Sequence, residues 1–349
     1  MSGLSVGVVG CGYRATESHL PIYRETELPV RVDCVCDLDH ELATRVARQF
    51  DIPTVYDDVS GMLGDADLDV VSVCVPPQAH FPVALEALRN GCHVFVEKPL
   101  TLSVETCDEL IRTARERDLK LGVMHNMLYN EPFRSAKRRI SAGEIGKVTG
   151  VRTLLTNPRD GRLSERDHWY HDLPGGLLTE TLPHVSYIAL DLMGSVDDVA
   201  VTAQQATTFE WAPHDEFEIL FEGPDVICST RVSYSGTLRT MRVDILGTDG
   251  HLQVDMMANA LYRFDLTSMD FLSLGVYSLS QIGQRVRHLL GNVAAVVTGD
   301  ATAGSRVVIE GFLESVLRDR APPVDGEDGR QSVAVLEETI QHYETNYGG

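Results

Sequence analysis

Apolar residues fall into two rhythms along this chain. Through the first third, short apolar runs at Leu4–Val9, Val30–Cys36, Val70–Val75, His93–Val96 and Leu121–Met124 alternate with stretches of helical period near Asp39–Phe50, His80–Asn90 and Val104–Arg117. Strands that are apolar on both faces need covering on both sides, so the pattern predicts a doubly wound parallel sheet with helices above and below. Beyond about Met124 the rhythm changes. A helix near Phe133–Ala142 ends at Gly143. Strand-like stretches then follow at Val148–Thr156, Val199–Thr207, Glu216–Phe221, Val226–Tyr234 and Met241–Leu246, with GTDGH turning into another at Leu252–Asp255. Such a series predicts one large, open, mostly antiparallel sheet, and a last helix near Ser332–Tyr343 closes the chain. Phe271–Thr298 is long and apolar, but Gln281, Arg285, Arg287 and His288 interrupt it, so it reads as amphipathic helix packed on protein rather than lipid.

A length of 349 residues exceeds what one core usually supports, and 43% hydrophobic residues are enough for two. The change of rhythm places the boundary, giving an α/β protein with a nucleotide-binding domain over 1–124 and a second α/β domain over 125–349. A formal net charge of −21 disfavours nucleic acid and anionic membranes as partners. The seven cysteines form no C-x-x-C pair, and Cys34, Cys36 and Cys74 lie in apolar runs, so they read as reduced and buried. The apolar start of the chain is too short for a signal peptide and is better explained as a first strand, which makes a cytoplasmic location the expectation.

Candidate chemistry begins at the first strand. Gly10, Gly12, Tyr13, Arg14 and Ala15 belong to a G-x-G-x-x-A segment between that strand and a helix. Its glycines allow a tight turn and let backbone N–H groups meet a pyrophosphate at the helix N-terminus. Asp37, at the end of the second strand, is placed to accept hydrogen bonds from the adenosine ribose hydroxyls and to repel a 2′-phosphate, so NAD is expected over NADP. Asp37 could instead cap the following helix, a role for which Asp39 competes. Arg14 could instead pair with a pyrophosphate or with a 2′-phosphate. Pro76, Pro77 and His80 follow the third apolar run, at the carboxyl edge where doubly wound sheets bind ligands.

With Glu97-Lys98-Pro99 after the fourth strand, downstream of G-x-G-x-x-A and P-P-x-x-H, the chain resembles the Gfo/Idh/MocA oxidoreductase family. Two further blocks carry the likeness: Gly175-Gly176-Leu177-Leu178-Thr179-Glu180-Thr181-Leu182-Pro183-His184, similar to G-G-x-L-x-D-x-x-x-H, and Pro322-Pro323-Val324-Asp325-Gly326-Glu327-Asp328-Gly329 before the last helix. The resemblance implies a Rossmann domain holding NAD(P) with Glu97 and Lys98 beside it. It also implies a second domain for substrate and oligomerisation, a homo-oligomer (dimer or tetramer), and catalytic roles for Lys98 and His184. Those roles suit dehydrogenation of a secondary alcohol, in which hydride leaves carbon while a base takes the hydroxyl proton. Glu180 lies one helical turn before His184 and would contact substrate or orient the histidine, unless it merely stabilises the helix N-terminus. Pro183, awkward in a helix interior, is expected in a first turn or at a kink.

Departures from the family pattern concern the substrate. Glu180 stands where aspartate is frequent, Tyr187 where another acid is common, and Leu128 where an arginine is frequent. His125, Asn126 and Tyr129 are candidate pocket residues, as are Trp169 and His171 within a loop that also carries Arg162, Arg166, His168 and Tyr170. His168 and His171 alone make no persuasive zinc set, so no metal is expected. The reading is therefore a dehydrogenase acting on the CH–OH group of a sugar, polyol or nucleotide-sugar-like molecule. Two alternatives stand beside it: an NAD-dependent glycosidase using transient hydride transfer, and a non-catalytic dinucleotide sensor.

Overall fold

The structure, a computed structural model, describes residues 3–159, 165–207, 209–265, 268–298 and 303–348. Two compact units emerge. One comprises Met1–Asn126 with Gly304–Glu337, the other Met127–Ala303 with Glu338–Gly349.

The first unit is built on six parallel strands: β1 (Leu4–Val9), β2 (Val30–Cys36), β3 (Thr54–Tyr56), β4 (Val70–Val73), β5 (His93–Val96) and β6 (Leu121–Val123). Their order is β3-β2-β1-β4-β5-β6, so the direction of winding reverses between β1 and β4. Every residue of β1 and β4 is buried, which is why both read as unbroken apolar runs. Helices α1 (Leu20–Glu25), α2 (His40–Phe50), α3 (Val59–Asp65), α4 (His80–Arg89) and α5 (Val104–Glu116) make the crossovers. Local chemistry fixes their starts. Asp39, Asp58 and Ser103 each accept a hydrogen bond from a backbone N–H in the first turn of α2, α3 and α5 respectively. Asp39, not Asp37, is thus the cap of α2.

The second unit opens with α6 (Glu131–Ser141) and β7 (Val148–Thr156), continues through α7 (Leu177–Met193), and then lays down β8 (Asp198–Gln204), β9 (Glu216–Glu222), β10 (Ile227–Ser233), β11 (Thr240–Gly247), β12 (His251–Asp255) and β13 (Ala260–Phe264). With β7 they form a seven-stranded sheet ordered β13-β12-β11-β7-β10-β9-β8, antiparallel except where β10 meets β7. The alternation of buried and exposed residues along β8, β10 and β11 leaves one face packed on the core. α8 (Phe271–Thr298) follows β13 as one continuous helix, and no helix among the described residues is long and apolar enough to cross a membrane.

The chain then returns. α9 (Ala303–Leu317) belongs to the first unit from Gly304 onward, while α10 (Gly326–Tyr347) gives its residues up to Glu337 to the first unit and its last turns to the second. The last helix therefore begins at Gly326, inside the Pro322–Gly329 block, six residues before the expected start at Ser332. Val123 N–H donates to the Val324 carbonyl at 3.2 Å, and Phe312 of α9 stacks at a tilt on Phe95, centroids 5.0 Å apart. Gly122 makes this contact possible, because a Cβ there would sit 2.5 Å from the Phe312 ring.

Candidate active site

In the first unit the glycine segment sits at the carboxyl ends of β1 and β4. Gly10 has φ +94°, and a Cβ there would lie 2.7 Å from the Cys74 backbone, so fold and conformation both require glycine. Gly12 differs. A Cβ at Gly12 would meet nothing within 4 Å, so the protein's own packing gives no reason for glycine there. A backbone left bare at a helix start fits the close approach of a pyrophosphate. The Asp37 carboxylate accepts from Cys11 N–H at 2.7 Å and from Asp39 N–H at 2.9 Å, binding the glycine turn to the end of β2. Four lone-pair sites on a carboxylate leave capacity for ribose hydroxyls. Tyr13 is exposed and Ala15 fully buried, so only the former faces solvent.

Beneath the turn lies a polar cluster in which Arg14, Glu97 and Lys98 are joined by His19 and Ser72, two residues that the sequence pattern did not single out. His19 is fully buried, with Nδ1 2.8 Å from the Ser72 hydroxyl and Nε2 3.2 Å from Glu97 Oε1. Arg14 reaches the same Glu97 oxygen at 3.7 Å, and Lys98 N–H donates to Glu97 Oε2 at 3.2 Å. Burial by itself would raise the Glu97 pKa, but Arg14, His19 and Lys98 outweigh it and hold the carboxyl well below its usual range. Burial likewise would lower His19, yet Cys74 and Glu97 hold it up at about 10. Glu97 thus gathers His19, Arg14 and the Lys98 backbone N–H into one buried cluster. His19 follows Ala15 by one turn of a helix that locally winds as a π-turn, a spacing visible in the sequence once Ala15 is singled out.

Lys98 is buried at the end of β5, followed by a cis Lys98–Pro99 peptide. His80 opens α4 and ties neighbouring loops together, with Nδ1 2.7 Å from the Pro99 carbonyl and Nε2 2.9 Å from that of Val75. Burial lowers its pKa against the opposite pull of the two carbonyls it faces. Pro77 is buried and Pro76 exposed. His125, after β6, is buried and pushed down to about 3 by that burial. Asn126 donates to the Ser305 hydroxyl at 3.2 Å, which links the end of β6 to α9.

The second unit holds Tyr129, Trp169, His171, Glu180 and His184. Gly175 and Gly176 have φ of +70° and +54° and lead into α7, whose first turn contains Glu180. Pro183 lies in the helix interior rather than the first turn, its missing N–H costing one backbone bond. His184 is buried, and its Nδ1 is 2.7 Å from the Tyr187 hydroxyl. Tyr187 thus fills, with a neutral phenol, the place where the resemblance led to an acid. Beside α7, the Tyr234 hydroxyl donates to the Leu177 carbonyl at 2.7 Å and also bonds Thr181. Neither Thr181 nor Tyr234 was expected from sequence. In the preceding loop, the Trp169, Tyr170 and His171 rings meet edge to face, and His171 Nε2 lies 3.1 Å from the Glu165 carbonyl. Arg162 lies outside the described residues.

Comparisons with known proteins bear on the whole chain. The family described as "Oxidoreductase family, NAD-binding Rossmann fold" matches residues 4–125, and the "GFO/IDH/MocA C-terminal domain" matches residues 133–253. The Saccharomyces cerevisiae protein YMR315W is 26% identical over 264 residues, 73% of this chain and 75% of its own. D-Glucoside 3-dehydrogenase of Escherichia coli is 32% identical over 155 residues, 44% of each chain. Among solved structures, the WlbA dehydrogenase of Bordetella pertussis, in complex with NADH and UDP-GlcNAcA, superposes with a TM-score of 0.81 at 18% identity over 99% of this chain and 96% of that one. Matched in both its Rossmann unit and its second sheet, the chain belongs to the Gfo/Idh/MocA family of oxidoreductases.

Proposed function

We propose that the protein is an NAD-linked dehydrogenase acting on a secondary hydroxyl of a sugar, polyol or nucleotide-sugar-like substrate. The observation that carries this reading is a lysine, Lys98, buried at the carboxyl edge of the sheet whose glycine turn and Asp37 suit a dinucleotide. Two relatives point the same way in substrate class, one named a D-glucoside 3-dehydrogenase and the other crystallised with a nucleotide sugar. Gly10, Gly12 and the N–H groups after them would hold the pyrophosphate and Asp37 the ribose, its charge favouring NAD over NADP. The bound nicotinamide supplies the hydride acceptor or donor.

The chain's own groups supply the proton chemistry. Lys98 donates a hydrogen bond to the reacting oxygen and stabilises the negative charge that develops on it. His184 takes the hydroxyl proton in oxidation and returns it in reduction, held by the Tyr187 hydroxyl at its Nδ1. Glu180 contacts the substrate from the first turn of the same helix. The test is NADH formation from a panel of polyols, sugars and sugar acids. Turnover is expected with at least one member, and Lys98→Met and His184→Ala should each lower kcat by about 10²–10⁴ while NADH affinity is kept. Glycosidic cleavage without net NADH would replace this reading with transient redox, and dinucleotide binding without any turnover would make the protein a sensor.

A further inference from the structure

α8 is amphipathic with its faces reversed. The side turned to the sheet is polar, and its side chains are used up in capping edge strand β13. Gln284 Oε1 accepts from Arg263 N–H at 2.7 Å, Gln281 Nε2 donates to the Arg263 carbonyl at 2.8 Å, and His288 Nε2 lies 2.6 Å from the Leu261 carbonyl. Asn292 continues the series with the Ala258 carbonyl. These bonds cover the hydrogen-bonding edge that a terminal strand otherwise leaves open.

The opposite side is apolar and open to solvent. Leu272, Val276, Leu279, Val286, Leu290 and Val293 are each at least half exposed, Leu272 at 78% and Leu279 at 70%. With Gly283 they follow one another by four and three residues in strict alternation, the heptad spacing that keeps a seam facing a partner helix. Phe271, Ile282 and Leu289 widen the seam along one margin, all more than half exposed. A large apolar side chain offers on the order of 100 Å². Nine of them at these exposures present roughly 600 Å², at or beyond the largest patch of a typical monomer and most of the ~800 Å² each partner gives to a stable interface.

Charge narrows the occupant. Over its 28 residues α8 has no aspartate or glutamate, although the chain carries 51 acidic residues. Two copies joined here bring no carboxylates together despite a net charge of −21 each. A lipid surface fits worse, because α8 carries only two arginines, Arg285 and Arg287, and Arg285 is drawn onto β13, 5.3 Å over the Tyr262 ring. We infer that α8 pairs with the α8 of a second copy of this chain, antiparallel across a twofold axis near Gly283, the middle of the seam. An isologous contact of this kind is the commonest route to a closed dimer.

Sedimentation velocity on the full chain tests the inference. Wild type is expected as a dimer or larger, and Leu279→Glu/Leu290→Glu should sediment at half the wild-type mass or less with an unchanged circular dichroism spectrum. A Cβ at Gly283 meets nothing within 4 Å, and all seven native cysteines are buried, so Gly283→Cys should form an intermolecular disulfide under mild oxidation. A monomeric wild type, a glutamate variant of unchanged mass, or failure of Gly283→Cys to cross-link would each overturn the proposal. Pelleting of wild type with phosphatidylglycerol vesicles would overturn it in favour of lipid.

Discussion

At the scale of single residues, two buried histidines of the first unit have opposite electrostatic environments. His125 is pushed down to about 3, so between pH 6.5 and that value the unfolded chain binds a proton that the folded chain refuses. Stability should therefore fall as pH drops below 6.5, by up to about 1.4 kcal/mol per pH unit. His19, held up at about 10, contributes stability that is complete below pH 6.5 and is lost as pH rises toward 10. Urea midpoints against pH check both, with His125→Asn expected to flatten the acid limb and His19→Gln the alkaline one. Tyr187 makes a smaller claim. Removing its bond to His184 with Tyr187→Phe should cost about 1 kcal/mol, or roughly fivefold in kcat, without changing NADH affinity. The sequence pattern marks His125 and His184 as candidates and leaves His19 unmarked. Its partners come from β4 and β5, and no local pattern announces a cluster assembled from three separate elements.

Among the elements, the strands that announce themselves are those whose apolar run is long enough to read. β1, β2, β5 and β7 have the bounds their apolar patterns imply. β3 is three residues long and only partly buried, and it left no readable run. α9 was missed for a different reason. Its apolar side becomes meaningful only when Phe312 meets Phe95 and the bare backbone of Gly122, contacts about 200 residues apart in sequence. That contact is testable, since Gly122→Val places methyl groups inside the Phe312 ring. Overpacking of this kind should cost about 1–3 kcal/mol, read as a lower thermal midpoint, and an unchanged midpoint would mean α9 is not seated on the sheet. α8 was legible as a helix with the observed bounds, but the reversal of its faces was not, because period alone does not say which side meets the sheet.

For the whole molecule, fold class and family could be read from a few short blocks, since G-x-G-x-x-A, E-K-P and G-G-x-L each mark a place where backbone or charge must meet something other than core. Of the groups proposed for the chemistry, the dinucleotide turn and Lys98 belong to the first unit, and His184 and Glu180 to the second. Substrate identity is not legible in the same way, because those blocks mark the cofactor turn and the candidate proton-transfer groups rather than the shape of a substrate pocket. The central claim is that the glycine turn and Asp37 hold NAD, and isothermal titration of the wild-type chain with NADH and NADPH tests it most directly. The account predicts one site per chain with NADH bound at least tenfold more tightly than NADPH. Absence of heat from either nucleotide, or tighter binding of NADPH, would contradict it.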